Sequence, residues 1–397
     1  MHVSDLRRHI QHHLEVLVDR IGARPPGSPA NRRASDHALT TLTAAGLQVR
    51  EDAFTTRWWE PGEGSLEAGG HRREVVPDPY SPAGDVRGRV VLASRVEDLE
   101  ALGSAHDVVL VLTDGLAEEQ LMPAAFPFLD PPEHARTRNE LHRLAPAAVV
   151  AVSDHWEPIL EDPDIAFPST TVPGELGGKL RPGETLRLKV GGAVQRGDGV
   201  NVSASVGTTD TRLVLCAHLD SKATTPGAFD NAGSVAVLLS LAELGYLDGF
   251  PLELVLFNGE DHVDACGEVA WLNATDLRQI AGAVNLDGVG LAGLPTSLAH
   301  LACPAPLQAR LAAWVEARRG WVPAEPWIES DHAIFAMQGI PAVAITSQDV
   351  HALLGGLAHT PADTLHVLDL ELLTHVAADL PDVLSLVTSE LTGRPGG

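Results

Sequence analysis

Apolar positions recur at helical spacing over residues 5–21, and Arg24-Pro25-Pro26-Gly27-Ser28-Pro29 then breaks the pattern. A second helix is predicted over Asn31–Ala45 and a strand over Leu47–Phe54. From about Trp58 the character changes. Gly and Pro recur, and short Val-rich runs appear at Gly88–Leu92, Val108–Leu112 and Ala147–Val152, with Pro-rich loops such as Ala125–Pro132 between them. From Leu213 the pattern is regular again. Buried strands are predicted at Leu213–Cys216, Leu252–Phe257, Ala281–Leu286 and Ala342–Thr346. Helices are predicted over Asn231–Leu244, Ala305–Arg319 and Leu368–Val387, the last kinked or broken at Pro381. In the first of these, Val235, Leu238, Leu239 and Ala242 share one face, Asp230 is placed as the N-cap and Gly245 as the stop.

Strands alternating with helices predict an α/β fold with a mixed, largely parallel central sheet flanked by helices. The block between reads as a smaller inserted β-rich domain. The expected division is residues 1–60 and 196–397 for the main domain and 61–195 for the insert. A chain of 397 residues is long enough for that arrangement.

Composition narrows the function. Hydrophobic residues at 44% and charged ones at 20% describe a folded globular protein. The net charge of −25 disfavours nucleic acid, which requires a basic face. No apolar run is long enough to span a bilayer, so no membrane partner is expected. The N-terminal segment lacks the apolar core and cleavage site of a secretory signal, and a cytoplasmic location is the default expectation. Cys216, Cys266 and Cys303 are odd in number and lack zinc-knuckle spacing, and Cys216 reads as a small buried hydrophobe. Nothing in the sequence fixes the oligomeric state.

Ligands of open α/β sheets bind beyond the carboxyl ends of the strands. The first of the regular strands ends in Ala217-His218-Leu219-Asp220, and the following loop reaches Gly227-Ala228-Phe229-Asp230-Asn231. The second ends in Phe257-Asn258-Gly259-Glu260-Asp261 and the third in Asn285-Leu286-Asp287-Gly288. Far downstream stands His359-Thr360-Pro361-Ala362-Asp363-Thr364. Each of these segments delivers a carboxylate or an imidazole to one rim, and those side chains bind zinc. Clustered carboxylates without a cation would repel one another, a problem that a pair of divalent ions removes. Taken singly, a His-x-Asp or a Glu-Asp pair is commonly a solvated surface feature. The joint order of the motifs is what carries the reading.

With Ser330-Asp331-His332 included, that order resembles the co-catalytic zinc aminopeptidase family, the group that also contains glutamate carboxypeptidases and glutaminyl cyclases. The resemblance covers residues 1–60 and 196–397, and the middle block resembles the protease-associated domain often inserted there. It implies two zinc ions bridged by Asp230, one completed by His218 and Asp287, the other by Asp261 and His359. It implies Glu260 as general base, Asp220 as the carboxylate orienting His218, and Ser330, Asp331 and His332 as a rim near the substrate. The implied activity is an aminopeptidase acting on a peptide with a free N-terminus. The family most often has Glu-Glu where this chain has Glu260-Asp261; aspartate still ligates through oxygen, on a shorter stem.

Rival readings stay open. Cys216–Lys222 has the flavour of a glutaminyl cyclase, which would take one zinc. A dipeptidase or carboxypeptidase relative would need a basic pocket. A binding homologue without catalysis would be expected to have lost ligands. The Gly288–Gly293 run matches G-x-G-x-x-G, but Pro295 follows where a dinucleotide motif requires a helix. Ser330-Asp331-His332 are adjacent, so they do not form a serine triad. His12 and His13 are expected to face solvent, and Asn201 and Asn273 head sequons without a signal peptide. Trp271, Trp314, Trp321, Trp327 and Phe335 are read as packing rather than as a specificity pocket.

Overall fold

The computed structural model describes residues 2–154, 157–207, 211–349 and 356–393. Backbone contacts divide the chain into two units. One comprises residues 1–56, 197–262 and 266–397, the other residues 57–196 with 263–265. The division falls inside two long strands, β1 (Gln48–Ala68) and β2 (Thr185–Val206).

The first unit opens with helix α1 (Val3–Leu14), which continues as a π-helical turn over Glu15–Ile21. The predicted apolar stripe is the reason, since Leu6, Ile10, Leu14 and Leu17 are all buried. Helix α2 (Pro29–Ala44) starts where the Pro-rich break ends. The Ser28 hydroxyl caps it by accepting from the Asn31 N–H, with Pro29 at the first helical position. Then follow β3 (Arg212–His218), α3 (Gly233–Glu243), β4 (Leu252–Phe257), α4 (Cys266–Ala274) and β5 (Ile280–Leu286). The chain continues through β6 (Thr296–Leu301), α5 (Ala305–Ala317), β7 (Trp321–Pro323), α6 (His332–Ala336), β8 (Ala342–Ser347) and α7 (Leu370–Thr392). Helix α7 runs unbroken through Pro381. Every predicted strand of this unit is present.

The sheet order is β7-β6-β8-β5-β3-β4-β2. The central strands β8, β5, β3 and β4 are mutually parallel, while β6 lies antiparallel to β8 and β2 antiparallel to β4. Strand β4 is buried at all six positions, as expected of a parallel strand covered on both faces. The register positions the site. His218 pairs with Phe257 across β3 and β4, and Cys216 pairs with Asn285 across β3 and β5. The residues just beyond His218, Phe257 and Leu286 therefore emerge at the same edge.

The second unit holds four parallel strands, Gly84–Ala93, Val108–Leu112, Ala148–Val152 and Ser169–Val172, with the start of β2 antiparallel to the first of them. β1 also pairs with His71–Val75 as a hairpin. Beyond the expected strands, this unit carries a helix at Pro132–Leu144. Its core is its own, built on Val108–Leu112 and Ala148–Ala151.

Candidate metal centre

Three adjacent strand ends and one distant loop converge. His218 is the last residue of β3 and fully buried. Its Nε2 lies 3.0 Å from Asp230 Oδ1 and 3.4 Å from Asp287 Oδ1. The other oxygen of Asp230 faces the opposite way, with Oδ2 3.0 Å from His359 Nε2; that nitrogen also lies 2.8 Å from Asp261 Oδ1. His218, Asp230 and Asp287 thus form one triad of ligand atoms, and Asp230, Asp261 and His359 a second, each within 4.8 Å. Asp230 gives one oxygen to each triad. Glu260 stands beside them, Oε2 at 3.9 Å from His218 Nε2.

The electrostatics show what this arrangement lacks. Burial pushes the carboxyl of Glu260 well up, with Asp287, Asp261 and Asp331 adding to the rise. Burial likewise lifts Asp261, reinforced by Asp230. Burial works on Asp230 too, but the imidazoles on its two oxygens outweigh it and hold that carboxyl below the usual range. Among the described residues neither ring nitrogen of His218 has a hydrogen-bond partner. Six nitrogen and oxygen atoms from five residues, crowded at one edge of the sheet, fit a divalent pair of the zinc type.

Local structure explains how the chain presents Asp230. The expected N-cap role is not what forms: α3 begins at Gly233 with Ala232 before it, and no side chain caps it. Asp230 sits in an irregular turn at φ −120°, ψ 89°, its carboxylate turned to the imidazoles instead of the helix N–H groups. Gly227 makes the turn possible, because at φ 64° a Cβ would lie 2.5 Å from the Asp230 carbonyl oxygen. Asp363 clamps the same turn, one carboxylate oxygen accepting the Phe229 N–H (2.7 Å) and the other the Asp230 N–H (3.1 Å). Asn231 ties it to the Asp287 loop, donating to Leu286 O and accepting from the Gly288 N–H. His359 itself takes φ 59°, a left-handed conformation uncommon for a residue with a Cβ.

Other expectations land differently. Asp220 Oδ1 lies 3.7 Å from His218 Nδ1, too far for a hydrogen bond, and accepts instead from the Gly259 N–H at 2.8 Å. It therefore links the end of β3 to the loop bearing Glu260. Ser330, Asp331 and His332 lie beneath the site, not on its rim. Ser330 donates to Asp287 Oδ2 at 2.5 Å and accepts from Asn285. Asp331 is fully buried without a side-chain hydrogen bond among the described residues. His332 is buried against Trp327, its Nε2 2.7 Å from the Trp327 carbonyl, and burial lowers its pKa. The triplet is buried because it starts α6, a helix inserted just before β8.

Two residues that the motifs do not single out hold the frame. Arg24, from the Pro-rich break, is fully buried and donates to the carbonyls of Leu219, Pro226 and Gly227. Asn201, which heads a sequon, is also fully buried, accepting from Asn258 N–H and donating to Gly267 O. An arginine in an otherwise apolar Pro-rich turn was the available signal for the first. Trp271 packs edge-to-face against both Phe257 and Phe335 in the core, as read from the sequence.

Two ligand triads that share Asp230 at the strand ends of an α/β sheet are a donor arrangement suited to a pair of divalent ions. Residues 201–382, somewhat under half of the chain, match the model of Peptidase family M28. A probable lipoprotein aminopeptidase of Mycobacterium tuberculosis, LpqL, is 26% identical over 247 residues, covering 58% of this chain and 47% of that protein. The chain thus aligns with about half the length of this relative. Among solved structures, an aminopeptidase from an Aneurinibacillus species is similar with TM-score 0.76 and 20% identity, covering 98% of this chain and 94% of that one. BSAP, a zinc aminopeptidase from Bacillus subtilis, is similar with TM-score 0.73 and 17% identity, covering 97% and 95%. At these identities both are likenesses of fold. Among the described residues no helix is long and apolar enough to cross a membrane.

Proposed function

We propose that this protein is a dinuclear zinc aminopeptidase. The observation that carries the reading is the sharing of Asp230 between two triads, one oxygen to each. His218 and Asp287 would complete one ion's ligands, and His359 and Asp261 the other's. When bound, the ions supply Lewis acidity to a carbonyl oxygen and make nearby water a better nucleophile.

The chain's own residues do the rest. Glu260 is the partly exposed carboxylate beside the triads, and it takes the proton of the attacking water and hands it to the leaving amine. Asp220 fixes the Glu260 loop through the Gly259 N–H. The cluster of carboxylates favours a substrate with a positively charged α-amine, hence an exopeptidase. The same reading takes residues 57–196 as a protease-associated-like insert. The relative's name marks it as a lipoprotein, so the cytoplasmic expectation is not carried forward.

The test is release of anilide from a panel of aminoacyl-anilides by the purified chain, with chelator and with zinc restored. Chelator-sensitive release is expected. Glu260→Gln should keep its zinc and fold and lose about 10²–10⁴-fold in kcat. Near-normal turnover in that variant refutes Glu260 as the base. Silence across the panel with zinc bound redirects the reading to glutaminyl cyclisation, the alternative suggested by Cys216–Lys222.

A further inference from the structure

A second group of metal-type side chains lies away from the triads, on the N-terminal helix. His9 and His13 are one turn apart on α1, and Glu243 is the last residue of α3. His9 Nδ1 lies 2.6 Å and His13 Nε2 3.1 Å from the same oxygen, Glu243 Oε2. His13 was expected to face solvent; its side chain is 1% exposed, because α1 turns that face onto α3. The other nitrogen of His13 is also fixed, with Nδ1 2.9 Å from His37 Nε2 on α2.

We propose that His9, His13 and Glu243 form a third metal site, for a zinc-class divalent ion, which staples α1 to α3. Imidazoles four residues apart on a helix project side by side, the spacing that lets two histidines chelate one ion. Both point at one carboxylate oxygen. Three N/O ligands from two elements make the His-His-Glu donor set that zinc accepts, with a further position for water. His9 and Glu243 are about a quarter exposed, which leaves an entrance for the ion.

The partner of His13 completes the case. When His13 Nε2 is a ligand, Nδ1 carries the proton and donates to His37. His37 Nε2 stands 2.9 Å away to accept it in the neutral form. Metal-ligating histidines are commonly oriented by such a hydrogen bond from the opposite nitrogen. Zinc–ligand bonds of ~2.0–2.1 Å place neighbouring tetrahedral ligand atoms roughly 3.3 Å apart. The two histidine contacts to Glu243 therefore lengthen by less than about 1 Å to admit the ion.

The test counts zinc per chain in wild type, His9→Ala and Glu243→Gln after stripping, reloading with zinc and dialysis. The expected result is one zinc more in wild type than in either variant, with unchanged anilide hydrolysis. Added zinc should also raise the Tm of wild type above the shift seen in His9→Ala. His9 is partly exposed, so its variant tests the site even if Glu243→Gln folds poorly. The reading of the catalytic centre is tested separately, because the readout here is a difference of one ion whatever that centre holds. Equal zinc in wild type and His9→Ala overturns the proposal.

Discussion

Asp363 is the residue through which the distant His359 loop controls Asp230, and Asp363→Asn isolates that control. The wild-type carboxylate is buried and offers one oxygen to the Phe229 N–H and the other to the Asp230 N–H. Burial lifts its carboxyl to about 7, against the pull of the Phe229 N–H, so an assay at pH 8 holds it ionised. Asparagine is nearly the same shape but has one acceptor oxygen. Its amide nitrogen must face one of the two N–H groups, so a hydrogen bond is lost and a buried donor left unpaired. Hydrogen bonds to charged groups contribute about 1.5–3 kcal/mol, and an unsatisfied buried donor costs about 1–3 kcal/mol. These are overlapping views of one loss, so the expected destabilisation is about 2–4 kcal/mol. Urea denaturation at pH 8 measures it. The Asp230 turn should shift as well, lowering kcat/KM and weakening zinc retention, read by metal analysis after dialysis. A variant within about 0.5 kcal/mol of wild type, with zinc retention unchanged, refutes the clamp.

Two further predictions follow from the same kind of reasoning. Asp78 in the second unit is buried and accepts a hydrogen bond from Thr171; burial raises it from 3.8 to about 7. The folded state therefore holds a proton that the unfolded chain releases, and stability falls as pH rises from about 4 to 7, by roughly 4 kcal/mol in all. Asp78→Asn should flatten that slope in amide exchange at residues 148–152 and 169–172, and an unchanged slope rules out Asp78 as its source. Gly227→Ala adds a left-handed penalty of roughly 1–2 kcal/mol and a Cβ 2.5 Å from the Asp230 carbonyl oxygen and 2.7 Å from Ser221 Cβ. The variant should lose zinc and hydrolysis together, and wild-type values for both would show that the turn has room to relax.

What the sequence determined by itself is local and periodic. Strands β4 and β5, and helices α2 and α5, were legible because one buried face or a continuous apolar run imposes a period on the residue pattern. His218, Asp261 and Asp287 were legible because they lie at or just beyond the ends of β3, β4 and β5, and parallel strands with short offsets bring their ends to one edge. Tertiary structure decided whatever depends on partners distant in sequence. That Asp230 gives one oxygen to His218 and one to His359 follows from where the loop around residue 359 comes to rest, which no local spacing encodes. Asp230 looked like a helix cap because Asp before an apolar run usually is one; the carboxylate was drawn instead to two imidazoles. The burial of Ser330, Asp331 and His332 and the hydrogen bonds of Arg24 and Asp363 likewise depend on long-range packing. His13 is the plainest case. A histidine on an amphipathic helix reads as solvent-facing from its own segment, and only the arrival of α3, with Glu243 at its end, makes it a buried member of a cluster. Periodicity shows which face of a helix is apolar, but which polar groups meet beneath that face is settled by the elements that close over it.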